Sequence, residues 1–176
     1  MIINYKNLET IKKGHISDTV IFATALANEL GCSEAEKKDL ETAAAFHDIG
    51  KVLIPSTYLN KNGALTPEER KIVNHHAYLG YEIMKALGYS ASVAVAVRDH
   101  HNPYSTSKIA QILRMADIYS AMTEQRPYKT AKSHEEAMKV LRNCHFSQEM
   151  IAAGEKILKF KRAEITARAK KSFFAA

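Results

Sequence analysis

An apolar helix that ends in a histidine and an aspartate constrains this chain more than any other feature. The run Ala43-Ala44-Ala45-Phe46 leads directly into His47-Asp48, and Ile49, Gly50 and Lys51 follow. A carboxylate carried into a core is costly unless it is paired, hydrogen-bonded or bound to a metal. A fold that buries this run must therefore bring Asp48 a partner. Gly50 fits the glycine that ends a helix, and Lys51 suits the negative end of the helix dipole. A His-Asp pair also arises by chance, and a buried histidine more often hydrogen-bonds than ligates, so the rest of the chain must decide.

Helical spacing dominates that remainder, and no stretch sustains period-two alternation. Ile16, Val20, Ala23, Ala27 and Leu30 form one stripe, ended by Gly31. Ser33-Glu34-Ala35-Glu36, Thr66-Pro67-Glu68-Glu69 and Ser133-His134-Glu135-Glu136 each read as a capping box opening a helix. The spacing predicts a helix from Pro67 to Gly88, kinked near Gly80. A loop is expected from Ile54 to Gly63, a helix from Ser90 to His100-His101, and another from Ser105–Ser107 to Met122. A last helix starts near Gln148. The chain reads as all-α, a single-domain helical bundle over residues 1–153 followed by a basic C-terminal helix over 154–176.

Composition bounds the function classes. With 176 residues and 46% hydrophobic content, one sizeable core is expected. The net charge of +6 is concentrated in the tail, where from Glu155 onward seven Lys or Arg oppose two Glu, giving +5. That is poor evidence for binding a nucleic acid polymer. The tail's apolar positions Ile157, Leu158, Phe160 and Ile165 suit packing on the bundle, or a surface for a homodimer or signalling partner; a membrane-surface helix is the rival. No transmembrane segment is expected. Cys32 and Cys144 form neither a disulfide framework nor a zinc pairing, which suits a cytoplasmic setting.

The histidines carry the chemistry. Six of them, His15, His47, His75, His76, His100 and His101, lie where helix ends or faces could converge with Asp48 and with Asp117, five helical segments in all, and in a bundle such side chains can converge on metal. Imidazole with carboxylate suits iron, manganese or zinc better than magnesium or calcium. No short zinc-type spacing links them.

The ordered set Gly14-His15, His47-Asp48-Ile49-Gly50-Lys51, Leu65-Thr66-Pro67-Glu68-Glu69, His76-Ala77-Tyr78-Leu79-Gly80, His100-His101, Met115-Ala116-Asp117 and Arg126-Pro127-Tyr128-Lys129 resembles the HD superfamily of metal-dependent phosphohydrolases. Within it the sequence is most similar to the HD-GYP type, which hydrolyses cyclic di-GMP. The resemblance implies an all-α HD-type fold and two divalent transition metal ions, iron or manganese. His15, His47, Asp48 and Asp117 would hold one ion, and His76, His100, His101 and a bridging Asp48 the other. A metal-bridging hydroxide would attack a phosphodiester in line. Lys51, Arg126 and Lys129 would meet the phosphates of a small nucleotide substrate, and Tyr104 would stand in for the family's loop tyrosine.

The sequence also departs from the family pattern. Members usually follow the paired histidines with Asp-Gly-x-Gly-Tyr-Pro, whereas here Asn102-Pro103-Tyr104-Ser105-Thr106-Ser107 lacks glycine. The second aspartate expected after Asp117 is Ser120. Three readings stay open: a cyclic dinucleotide phosphodiesterase, an HD hydrolase of another nucleotide or alarmone phosphate, and a catalytically inactive signalling or binding module.

Overall fold

The computed structural model describes residues 13–124 and 130–159, and among them every regular element is helical. In order they are α1 (Lys13–Glu29), α2 (Glu34–Phe46), a 3-10 turn (Ile49–Leu53), α3 (Ser56–Leu59), α4 (Pro67–Asn74), α5 (His76–Ala86), α6 (Ala91–Asp99), α7 (Lys108–Thr123) and α8 (His134–Leu141). A further helix, α9, covers residues 148–159. The three capping boxes form as expected, with the Ser33, Thr66 and Ser133 side chains each accepting from the backbone N–H three residues on.

Helix α7 is the axis of the bundle and packs against α1, α2, α6 and α8. Its Ile109, Ile112, Leu113, Met115 and Ala116 are buried, and α1 covers them with Phe22, Ala23, Leu26 and Ala27. The Phe22 ring stacks on Tyr119 at 4.1 Å. Each fully buried side chain of this size stabilises the fold by about 1.5–3 kcal/mol. The buried side of α1 is rotated from the stripe expected of it: Ile16 and Val20 are only partly covered, while Phe22 and Leu26 fill the interior.

Three local expectations are corrected. The helix expected from Pro67 to Gly88 divides at His75, which caps α4 and leaves His76 to begin α5. Gly80 lies inside α5 without breaking it. The stretch expected as loop from Ile54 to Gly63 contains the single turn α3.

Gly50 is not a left-handed helix cap. It sits within the 3-10 turn, and a Cβ built there would lie 2.0 Å from the His76 carbonyl oxygen and 2.6 Å from the Gly80 nitrogen. Gly80 in turn faces Val97 Cγ1 at 2.8 Å from its own hypothetical Cβ. The two glycines form a notch that lets the His47-Asp48 turn press against α5, and α5 against α6. That close approach is what brings the histidines of three helices together.

Helix α9 runs across the expected boundary near residue 153, burying Met150, Ile151, Ala153 and Leu158. Lys156 pairs with Glu29 of α1, and Glu155 accepts from Arg142 of α8. The tail beyond, residues 160–176, lies outside the described residues, as do Arg126 and Lys129. No described helix is long and apolar enough to cross a membrane.

Candidate metal centre

Three helices have a carbonyl near their C-terminal end capped by a histidine ring: His47 and His100 follow α2 and α6, and His76, the first residue of α5, reaches back to α4. The last carbonyls of a helix lack intrahelical donors. His47 Nδ1 donates to Ala44 O at 2.8 Å, His76 Nδ1 to Val73 O at 2.7 Å, and His100 Nδ1 to Val97 O at 2.6 Å. A carbonyl can only accept, so Nδ1 carries the proton and the neutral ring presents a bare Nε2. One contact thus caps the helix and fixes the tautomer, leaving Nε2 free to meet a metal ion.

These nitrogens meet two carboxylates. His47 Nε2 lies 3.6 Å from Asp48 Oδ2 and 3.7 Å from Asp117 Oδ1. His15 Nε2 lies 3.0 Å from Asp117 Oδ1, and His76 Nε2 lies 3.3 Å from Asp48 Oδ1. His101 Nδ1 approaches Asp117 Oδ2 at 3.9 Å. The potential ligand atoms of His15, His47 and Asp48 lie within 4.8 Å of one another, and so do those of His76, His100 and His101. Asp48 stands between the groups, with Oδ1 toward His76 and Oδ2 toward His47. Lys51 donates to the same Oδ2 at 2.6 Å.

The donor set fits metal ions. His47 Nε2 is buried without a hydrogen-bond partner. His76 Nε2 and His100 Nε2 are 3.3 Å apart, two lone pairs facing each other when both rings are neutral. A cation between them removes that repulsion. Ligand atoms each about 2.1 Å from one ion lie about 3–4 Å apart, which is the spacing found here.

Electrostatics points the same way. Burial alone would raise the Asp48 carboxyl, but contact with His76 and the neighbouring His47 and Lys51 hold it well below the usual carboxylate range. Burial likewise opposes ionisation of Asp117, and His15 with the surrounding histidines outweighs it and lowers the pKa. Burial pushes His100 well down, helped by repulsion from His101 and His47. His101, pushed down by burial and partly restored by Asp117, falls to about 4. At neutral pH two carboxylates are therefore ionised beside two neutral imidazoles, the protonation state that divalent ions require.

Two hydroxyls escaped the sequence reading. Thr19 Oγ1 donates to the His15 carbonyl at 2.8 Å, so its oxygen is left to accept from Ser120 Oγ at 2.6 Å. Ser120 Oγ then accepts from His15 Nδ1 at 2.8 Å. The chain closes on the residue where it began and turns His15 Nε2 toward Asp117. Thr19 lies four residues after His15 and Ser120 three after Asp117, which is helical spacing that could have flagged both. Ser120→Ala should weaken metal binding by about 10- to 100-fold, with Ser120→Thr close to wild type. Competition against a chelating indicator measures this; equal affinity in all three proteins would remove Ser120 from the centre.

Tyr104, expected at the substrate, is 76% exposed, and its ring contact among the described residues is with His145. The glycine-free loop around it is stapled in place. Gln111 Nε2 reaches the carbonyl oxygens of Asn102, Pro103 and Ser105 at 3.1, 3.3 and 3.0 Å, and Ser105 Oγ donates to Asp99. Of the remaining histidines, His75 is exposed and stacked on Tyr78, and His134 bonds Tyr119.

The family model for the HD domain matches residues 2–147. The chain belongs to the HD domain family. Among curated relatives, this HD domain is 31% identical to a cyclic di-GMP phosphodiesterase of Thermotoga maritima, over 90% of this chain and 47% of that protein. It is 33% identical to the cyclic di-GMP phosphodiesterase response regulator RpfG of Xanthomonas campestris pv. campestris, over 68% of this chain and 35% of the relative. A 3'3'-cGAMP-specific phosphodiesterase of Vibrio cholerae is 29% identical over 82% of this chain and 35% of its own length. The chain thus spans half or less of the length of these relatives. The HD domain of the L. monocytogenes phosphodiesterase PgpH, solved in complex with cyclic-di-AMP, shares the fold with a TM-score of 0.65 at 17% identity, over 92% of this chain and 97% of that one.

Proposed function

We propose that this HD domain is a metal-dependent phosphodiesterase acting on a cyclic dinucleotide, with cyclic di-GMP the first candidate. The observation that carries the reading is Asp48, one ionised carboxylate whose two oxygens face two separate groups of histidines. His15, His47, Asp48 and Asp117 would hold one ion, and His76, His100, His101 and Asp48 the other, iron or manganese by their imidazole-carboxylate chemistry. Two ions bound there would bring the pKa of a water toward neutrality and offset negative charge on a phosphoryl group. The relatives named as cyclic di-GMP and cGAMP phosphodiesterases supply the substrate class.

The chain's own residues supply the rest. The carbonyl-capped rings hold their nitrogens still, so no reorganisation is needed when ligand arrives. Lys51 reaches Asp48 from the edge of the cluster, where its ammonium meets a substrate phosphate once Asp48 is engaged by metal. Arg126 and Lys129 are proposed as further phosphate contacts.

Iron- or manganese-loaded protein should hydrolyse cyclic di-GMP, and Lys51→Ala should lower kcat/KM by about 100-fold without lowering metal content. Lys51 competes with metal for Asp48 Oδ2, so its removal should leave occupancy equal or higher. Turnover by wild type with no loss in the variant would take Lys51 out of the reaction. A second reading, hydrolysis of another nucleotide or alarmone phosphate, draws on the stapled loop that holds Tyr104 against His145. Turnover of a nucleotide panel with cyclic di-GMP inert would establish that alternative, and metal binding without any turnover would establish a signalling module.

A further inference from the structure

A ring closed on itself presents two phosphodiesters and two bases, and a single reaction centre engages one phosphodiester at a time. The nucleotide left over needs its own seat. Beside the metal ligands, His101 forms one wall of an open groove of about 420 Å3, lined further by Lys71, Asn74, His75, Tyr78 and Arg98. Pockets for small ligands run from roughly 300 to 1,000 Å3, so the groove has room for one nucleotide.

Its chemistry is that of an aromatic anion's site. The lining carries two cations, Lys71 and Arg98, and no carboxylate. The Tyr78 side of the groove is a stacking surface: the residue is 48% exposed, and the His75 ring lies against it at 5.3 Å with an interplanar angle of 26°. Arg98 is not loose, because Asp99 holds its guanidinium through Nε at 2.7 Å and Nη2 at 3.1 Å. Helices α4, α5 and α6 each contribute, and the division of the chain at His75 is what sets α4 at an edge of the groove.

We propose that this groove seats the nucleotide of the cyclic dinucleotide that is not being cleaved, its base stacked on Tyr78 and its phosphate facing Lys71 and Arg98. The assignment rests on the phosphodiesterase reading of the adjoining centre, and the two can fail separately. Base stacking on an aromatic side chain is typically worth about 10-fold or more in affinity. Tyr78→Ala and Lys71→Ala should therefore each lower kcat/KM for cyclic di-GMP by about 10-fold or more relative to kcat/KM for bis(4-nitrophenyl) phosphate, which has no second nucleotide to seat. The loss should fall on KM, and Tyr78→Phe, which keeps the stacking face, should restore it.

A parallel fall for both substrates, or no fall for either, would overturn the groove assignment while leaving the reaction centre intact. If the loaded wild type hydrolyses neither compound, the same variants are compared by the dissociation constant for cyclic di-GMP. Weaker binding in Tyr78→Ala then supports the groove with the hydrolytic reading lost. Unchanged binding, or no binding by wild type, overturns the groove as well.

Discussion

Asp48→Ala should strip the protein of both ions and abolish turnover. No single histidine change should remove as much metal, because each histidine faces one group whereas the Asp48 oxygens face both: Oδ1 is 3.3 Å from His76 Nε2 and Oδ2 is 3.6 Å from His47 Nε2. Removing the carboxylate also deletes one of the two ionised acids that balance the charge of the ions, and like charges a few ångströms apart repel strongly in a buried site. His76→Ala should retain close to one ion per chain. Asp48→Asn, which keeps the shape and loses the charge, should behave as Asp48→Ala does. Metal content by elemental analysis, with helicity confirmed by circular dichroism, reads the difference. Equal metal loss in Asp48→Ala and His76→Ala would contradict the bridging position.

Gly50→Ala should be the most damaging methyl group that can be added near the centre. The new Cβ meets backbone, the His76 carbonyl oxygen at 2.0 Å and the Gly80 nitrogen at 2.6 Å, so no side-chain rotation relieves the clash. Overpacking into a core commonly costs about 1–3 kcal/mol, and a collision of two backbones belongs at or above the top of that range. At roughly 2–4 °C per kcal/mol for a chain of this size, Tm should fall by about 10 °C. The displaced element carries His76, so metal affinity should fall in whatever fraction remains folded. Gly63→Ala is the control: its φ of 112° strains any side chain, yet nothing lies within 4 Å of the added Cβ. A variant at Gly50 as stable as wild type would mean that the turn and α5 are not held against each other there.

Much of this was legible in the chain, for identifiable reasons. Helix starts were readable because Ser33, Thr66 and Ser133 cap with their own neighbours, an interaction local in sequence. That histidines from several helix ends gather around Asp48 was readable because imidazole and carboxylate side chains at apolar helix ends are costly unless partnered. What stayed hidden was tertiary. Gly50 looked like a helix cap, since nothing in the sequence announces that α5 will press on it. The division at His75 was invisible for a related reason: His76 Nδ1 takes the Val73 carbonyl, a contact that depends on where the ring is needed. Ser120 registered only as an absent aspartate, because its partners Thr19 and His15 lie about a hundred residues away. Tyr104 was assigned by analogy with a loop whose glycines this chain lacks, and the amide of Gln111 ties down the loop that carries it.

The number of metal ions per chain tests the central claim most directly. Protein purified anaerobically with iron or manganese supplied should carry two ions per chain by elemental analysis, and anomalous scattering should place them on either side of Asp48, one among His15, His47 and Asp117 and the other among His76, His100 and His101. A single ion, or none, at saturating iron and manganese would contradict a dinuclear centre and the chemistry built on it.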